Sequence, residues 1–398
     1  MLAWLHMADN HLSIDLDAEG WNTRISDSDL EALAASAIKQ ELCTGLAAAV
    51  WIDGKAAWKC WIGFTSRPED SAGAPQAASL AAEPIAPATL FDAASLTKPL
   101  ATALLVMKAR EAGELDLDFP LGTFLEGLPP ATAVLPLQAL MTHSAGLPAI
   151  PALHLSFPDP GRLDRTQAIA GLLTREPETP AGAHVVYSCT GYMLLGLVLE
   201  RIGGKLLGEL FREEIALPAG IEHAGFAPAI EPEGSPAMLA HVAATEYCPW
   251  RGRRLKGQVH DESAYCMGGH AGNAGLFLSL ESALALGSLY LQDGWCGGTQ
   301  ILQPATVDLM LKPLTTGMEE RRSLAFKFHD RDTADGPLWP ESAFGHTGFT
   351  GTSIFFEPTR RIMAVLLTNR VYYGRDVTAD RIVAFRKRFH SAVWRAFC

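Results

Sequence analysis

Ser95 and Lys98 stand three residues apart at the head of an apolar helical pattern formed by Ala101, Leu104, Leu105, Lys108 and Ala109. Proline is tolerated only near the first turn of a helix, so Pro99 sets the helix start at about Ser95. At i and i+3 the two side chains share one face, with Cβ atoms roughly 5–6 Å apart. A hydroxyl at a helix N-terminus beside an amine is equipped to act as a nucleophile. The free N–H groups and the helix dipole favour developing negative charge. Desolvation lowers a lysine pKa, which would let Lys98 take the hydroxyl proton. The ordinary alternative for Ser-x-x-Lys is a helix cap beside a solvated lysine, so the reading depends on partners elsewhere in the chain.

Such partners are present. Tyr187-Ser188-Cys189 ends a loop before a helical pattern from Gly191, with Thr190 placed to cap it. A tyrosine held there can pass protons between nucleophile and leaving group; its ordinary role is that of a half-buried loop residue. His346-Thr347-Gly348-Phe349-Thr350-Gly351 leads into a strand from Thr352. Its small residues let a substrate lie against the backbone and let the Phe349 N–H point into the site, where otherwise it forms a glycine-rich turn. Residues 140–148 and 268–277 read as tight turns beneath the site. His260-Asp261-Glu262 invites a metal reading, but three adjacent loop residues do not easily face one ion, and no metal site is predicted. Neither a Gly-x-Ser-x-Gly elbow nor a His-Glu-x-x-His motif occurs, leaving the α/β-hydrolase and zincin routes without support.

The elements that must position these residues follow from the periodicities. Ser28-Asp29-Leu30-Glu31 reads as a capping box opening a helix through Leu42. Two strand-like runs, 46–52 and 56–62, flank Asp53-Gly54, a hairpin dipeptide. Residues 71–89, rich in Ala, Pro and Ser, read as a surface loop. From 115 to about 260, helical patterns at 166–174, 191–202 and 205–214 alternate with loops, and Gly203-Gly204 ends the second. Helical patterns near 280–292 and 304–312, strands at 352–356 and 362–368, and an amphipathic terminus (Ile382, Phe385, Phe389, Val393) complete the chain. Two isolated hairpins are marginal, so the economical solution joins them in one antiparallel sheet covered by the terminal helices. The expected fold is α/β (α+β): a sheet domain from 25–114 and 265–398, with a mostly helical lobe inserted at 115–264.

With 398 residues, 48 % of them hydrophobic, the chain can bury a large core. A net charge of −12 without a run of like charges argues against a nucleic-acid partner. Seven scattered cysteines without Cys-x-x-Cys suggest neither a disulfide framework nor a zinc site. The N-terminus lacks a basic region and a long apolar run, so no signal peptide or membrane span is expected and a cytoplasmic location is.

In this order, Ser95-x-x-Lys98, Tyr187-x-Cys189 and His346-Thr347-Gly348 resemble the three motifs of serine β-lactamases and penicillin-binding proteins, with 142–147 and 271–277 adding to the likeness. The pattern is similar to the class C β-lactamase-like branch, which includes D-alanyl-D-alanine carboxypeptidases and esterases. The resemblance covers about residues 30–395 and implies a sheet flanked by helices with an inserted helical lobe. It implies two-step acyl transfer without metal or other cofactor: Ser95 attacks a carbonyl, Lys98 is the base, and Tyr187 protonates the leaving group and later activates water. The backbone N–H groups of Ser95 and Phe349 form the oxyanion hole, and Cys189, His346, Thr347 and Gly348 line the substrate site. Two departures shape the expectation. Cys189 stands where the family usually has Asn and is a poorer hydrogen-bonding partner. His346 stands where many members have Lys, and a partly charged imidazole holds a carboxylate less firmly. The expected activity is therefore a carboxylesterase acting on small-molecule esters. A D-amino-acid peptidase or weak β-lactamase acting on amides is the alternative, and a non-turning-over binder or sensor is a third reading.

Overall fold

The computed structural model describes residues 25–67, 82–226 and 241–398. The N-terminal segment and most of the expected surface loop at 71–89 lie outside these residues. Helix α1 (Asp27–Lys39) starts two residues earlier than the expected box. Ser26 is the cap: its Oγ accepts the Asp29 N–H at 3.3 Å, and the Asp29 carboxylate accepts the Ser26 N–H at 2.8 Å. Aspartate serves here as the reciprocal partner that the sequence reading assigned to glutamate.

Strands β1 (Gly45–Ile52) and β2 (Lys55–Gly63) are joined by Asp53 and Gly54 at φ +44° and +93°, the two left-handed residues a type I′ turn requires. Next come α2 (Ala103–Glu111), α3 (Cys189–Gly203) and α4 (Leu280–Ser288). The chain closes with β3 (Lys327–Phe328), β4 (Phe344–Thr347), β5 (Ser353–Glu357), β6 (Ile362–Thr368) and α5 (Ala379–Phe397). These six strands form one antiparallel sheet in the order β3-β4-β5-β6-β1-β2. The two ends of the chain meet at the β1–β6 pair, where Ala49 lies opposite Val365.

Both faces of the sheet are covered, which explains why β1 reads as an unbroken apolar run rather than an alternation. Ala47, Ala49 and Trp51 share one core with Met363, Val365, Leu104 and Leu284. Leu46, Ala48 and Val50 share the other with Leu30, Leu33, Phe385 and Phe389 from α1 and α5. Gly287 of α4 sits so close to the sheet that a Cβ would come within 2.3 Å of the Met363 sulfur.

Helices Arg165–Leu173, α3 and Leu207–Phe211 fall where helical periodicity predicts them. Short strands escaped that reading. Phe91–Asp92 and Ala224–Phe226 both pair with Leu276–Leu278, and two or three residues are too few to display an alternation. This small sheet ties the segment before Ser95 to the glycine-rich stretch at 268–275. Among the described residues no helix is long and apolar enough to cross a membrane.

Candidate active site

Ser95 follows Ala94, which lies in the left-handed region at φ +48°, a conformation costing a non-glycine residue roughly 1–3 kcal/mol. The surroundings enforce it. Asp92 Oδ1 accepts the Ala94 N–H at 2.8 Å and Oδ2 accepts the His260 N–H at 2.7 Å. Thr350 Oγ1 donates to Asp92 O at 2.7 Å, and Thr352 Oγ1 donates to Ala93 O at 3.0 Å. Burial pushes the Asp92 carboxyl up, against the pull of those backbone donors. The chain then makes a 3₁₀ turn at Ala94–Leu96 and a π turn at Lys98–Thr102 before entering α2. Helical turns thus begin beside Ser95 as Pro99 predicts, but Pro99 lies within the π turn and the α-helix proper opens only at Ala103.

Lys98 is fully buried. Its Nζ donates to Ser95 Oγ at 3.2 Å and to the Asn273 carbonyl at 3.1 Å, and lies 3.6 Å from Cys189 Sγ. It also sits 4.8 Å from the centre of the Tyr187 ring and 5.7 Å from that of Tyr192. Burial pulls the Lys98 pKa down, but its interactions with Cys189, Tyr187 and Asp261 push it up, and the net direction is upward. This differs from the fall expected of a desolvated lysine. Tyr187 is likewise raised, by burial first, with Lys98 opposing. Its Oη is buried and closes no hydrogen bond of good geometry among the described residues, although Ser95 and Lys98 lie near enough to affect its titration. Lys98 and Tyr187 thus lie close enough for each to alter the other's proton affinity.

The loop carrying Tyr187 is held from below. Ser188, not the expected Thr190, caps α3: its Oγ accepts the Gly191 N–H at 3.1 Å and donates to Pro148 O at 2.8 Å. The helix accordingly opens at Cys189, two residues before Gly191, and the Thr190 hydroxyl is buried without a hydrogen-bond partner among the described residues. The Ser188 N–H donates to His143 Nδ1 at 3.0 Å, and the His143 ring lies 4.5 Å from that of Tyr187. The stretch containing Thr142 and His143 is thus the seat of the Tyr187 loop. The glycine-rich stretch seats Lys98: a Cβ on Gly272 would fall 1.9 Å from Tyr192 O, so only glycine lets this turn approach α3 and present the Asn273 carbonyl.

His346, Thr347 and Gly348 lie on and just beyond the end of β4, in the same cleft as Ser95 and Tyr187. His346 Nδ1 donates to Thr347 O at 2.9 Å. Burial, Lys98 and Arg322 hold His346 well below the ordinary imidazole value, and burial, Arg322 and Lys98 do the same to His143. His346 is therefore neutral at pH 7, not partly charged as expected. A Cβ on Gly348 would meet Thr352 Oγ1 at 2.0 Å and Ala93 O at 2.6 Å, so this glycine lets the turn pack directly on the backbone beside Ser95. Neither the Ser95 nor the Phe349 N–H donates to another group among the described residues.

The cleft, of about 510 Å³, also holds groups that sequence reasoning missed, Arg322 and Arg386. Arg322 bonds Glu320 at 2.7 Å and lies 5.6 Å from the centre of the Tyr187 ring. No local motif marks such residues; only the fold brings them in. His260, Asp261 and Glu262 have separate tasks. The His260 ring stacks on Phe349 at 5.4 Å, Asp261 caps the helix Glu262–Cys266, and Glu262 pairs with Arg375.

An antiparallel sheet with helices on both faces and a Ser-x-x-Lys helix start opposite a tyrosine loop defines a protein class, the serine hydrolases of β-lactamase fold. The family model described as Beta-lactamase matches residues 30–387, and the chain belongs to that family. It is 30 % identical over 312 residues to an Escherichia coli (strain K12) protein provisionally named D-alanyl-D-alanine carboxypeptidase, covering 71 % of this chain and 69 % of that one. It is 26 % identical over 359 residues to the N-acetylmuramyl-L-alanine amidase of Bacillus subtilis (strain 168), covering 84 % and 79 %. Among solved structures, the fold is shared with EstCE1, a hydrolase with promiscuous acyltransferase activity (TM-score 0.66, 21 % identity, 90 % of this chain and 98 % of that one). It is shared too with a penicillin-binding protein homologue from Caulobacter crescentus (TM-score 0.68, 20 % identity, 92 % and 97 %).

The buried imidazoles set an acid limit to stability. His143 and His346 lie well below their ordinary value of 6.5, and burial brings His390 down to about 3. Below about pH 6.5 the unfolded chain takes up protons that the folded chain refuses, so stability is lost as pH falls. Denaturant unfolding from pH 7 to pH 5 is expected to show ΔG falling, with a limiting slope of about 1.4 kcal/mol per pH unit for each histidine. A flat profile over that range would contradict the neutral assignment.

Proposed function

We propose that the protein is a carboxylesterase that works through an acyl-enzyme on Ser95. The observation that carries this reading is the buried Lys98 amine 3.2 Å from Ser95 Oγ, with Tyr187 beside it. Loss of one proton from the Lys98–Tyr187 pair creates the base. Lys98 neutral beside tyrosine, and Lys98 charged beside tyrosinate, have the same net charge and the same pH dependence. That base takes the Ser95 proton as Oγ attacks the ester carbonyl. The developing oxyanion is met by the N–H groups of Ser95 and Phe349. The pair then returns the proton through Tyr187 to the departing alkoxide. In the second half-reaction the pair draws a proton from the water that attacks the acyl carbonyl. That proton passes to Ser95 Oγ as the Oγ–acyl bond breaks and the acid leaves.

Two features favour esters over peptides. Cys189 presents a thiol where an amide would bind an acylamino chain, and His346 is neutral and offers no fixed charge to a substrate carboxylate. Arg322, a cation on the same wall, is already paired with Glu320. The names of the Escherichia coli and Bacillus subtilis relatives support a second reading, a peptidase or amidase acting on cell-wall-type amides.

With a short-chain nitrophenyl ester, the expected result is a stoichiometric burst followed by steady turnover, both lost in Ser95→Ala. An unchanged rate in that variant would contradict the proposal. Cys189→Asn is expected to raise Ser95 acylation by penicillin, read as an intact-mass shift, while ester turnover changes less. An unaltered penicillin-to-ester ratio would deny Cys189 a part in the preference.

A further inference from the structure

The turn after β4 is gripped by a guanidinium that shares the lining of the cleft and, among the described residues, has no carboxylate partner. Arg386, on α5, is buried, and its Nη2 donates to the Gly348 carbonyl at 2.5 Å and to the Thr352 carbonyl at 2.8 Å. The Gly351 N–H also donates to Gly348 O, at 3.0 Å. Among the described residues no carboxylate pairs with Arg386, and its Nε has no hydrogen-bond partner. Burial pulls its pKa down to about 9, which leaves it cationic at neutral pH. A buried cation without a counter-ion is a liability to stability, and a neutral donor would hold two carbonyls as well.

The covalent structure supplies the reason. The carbonyl of Gly348 and the N–H of Phe349 belong to one peptide unit. A cation bonded to that oxygen draws electron density through the amide and makes its N–H a stronger donor. Arg370 makes the comparison clear. Its Nε donates to Phe349 O at 2.7 Å, which belongs to the next peptide unit and whose N–H is that of Thr350. Arg370 orients the turn; Arg386 acts on the donor itself. The turn packs against Ala93 through Gly348, and Gly348, Phe349 and Ser95 line the same cleft.

We propose that Arg386 is a positioning and polarising residue that strengthens the Phe349 N–H as an oxyanion donor through the Gly348–Phe349 peptide. The proposal rests on the acyl-enzyme reading above. It requires charge at the guanidinium, and hydrogen bonding to Gly348 O alone does not suffice.

The test compares wild type with Arg386→Lys, Arg386→Gln and Arg386→Met. Each is measured for kcat and KM on a nitrophenyl ester, inhibition by phenylboronic acid as a tetrahedral mimic on Ser95, and thermal unfolding. Removing one whole oxyanion donor costs about 10²–10³ in kcat, so losing its polarisation is expected to cost roughly 10-fold. Arg386→Met and Arg386→Gln should both show that loss, with a matching loss of boronate affinity and KM within about twofold. Arg386→Lys, which keeps the charge, should recover most of both. If Arg386→Met does not fold, the Lys and Gln variants decide the matter alone. Equal activity in Lys and Gln, or a rise in KM that accounts for the loss, would overturn the proposal and leave Arg386 as packing. A wild type that shows neither burst nor boronate inhibition would instead overturn the acyl-enzyme reading, and this proposal with it.

Discussion

A lysine ammonium held entirely out of water is the constraint around which this chain is arranged. An isolated buried cation is several kcal/mol unfavourable, so Lys98 persists only because other groups replace its hydration shell. Those groups come from separate parts of the sequence: Ser95 on its own helix start, Tyr187, Cys189 and Tyr192 from the α3 segment, and the Asn273 carbonyl from the glycine-rich turn. Solvating the charge without water forces these segments together. The proximity of Ser95, Tyr187 and the glycine-rich turn is thus a consequence of one electrostatic requirement.

The second constraint acts on the backbone. Ser95 follows a left-handed alanine whose N–H is held locally by the Asp92 side chain, and long-range bonds to Asp92 and Ala93 lock the segment in place. The same threonines, Thr350 and Thr352, belong to the turn after β4. One set of hydrogen bonds therefore fixes the Ser95 segment and the opposite wall of the cleft relative to one another. Two guanidiniums, Arg370 and Arg386, complete the clamp. The wall is positive in places, yet the histidines that face Tyr187 are neutral, so the reacting groups meet an environment of directed dipoles more than of net charge.

Sequence patterns carried the fold class and its long elements, and they picked out residues that the fold brings into one cleft. Ser95, Lys98, Tyr187 and the stretch 346–349 were legible because each lies at a helix start, a loop end or a glycine turn, where residue type and spacing speak for themselves. Long elements such as α3 and α5 were legible from their periodicity. The two- and three-residue strands at 91–92, 224–226 and 276–278 were not, since pairing across more than a hundred residues leaves no local trace. Nor were Arg322 and Arg386, which acquire their places only when the sheet and α5 form. The Ser26 cap was missed because two overlapping cap patterns compete there and only backbone geometry chooses. The charge of His346 was misjudged for a related reason: burial and neighbouring cations, not residue type, set its proton affinity.

The central claim is that Lys98 and Tyr187 direct acylation to Ser95 in a site where a cysteine thiol lies 3.6 Å from the same amine. Peptide mapping by mass spectrometry after rapid acid quench of protein turning over a short-chain ester tests this most directly. The account predicts the acyl group on the peptide containing Ser95 and its absence from the peptide containing Cys189. An acyl group on Cys189, or an unmodified protein during steady turnover, would contradict it.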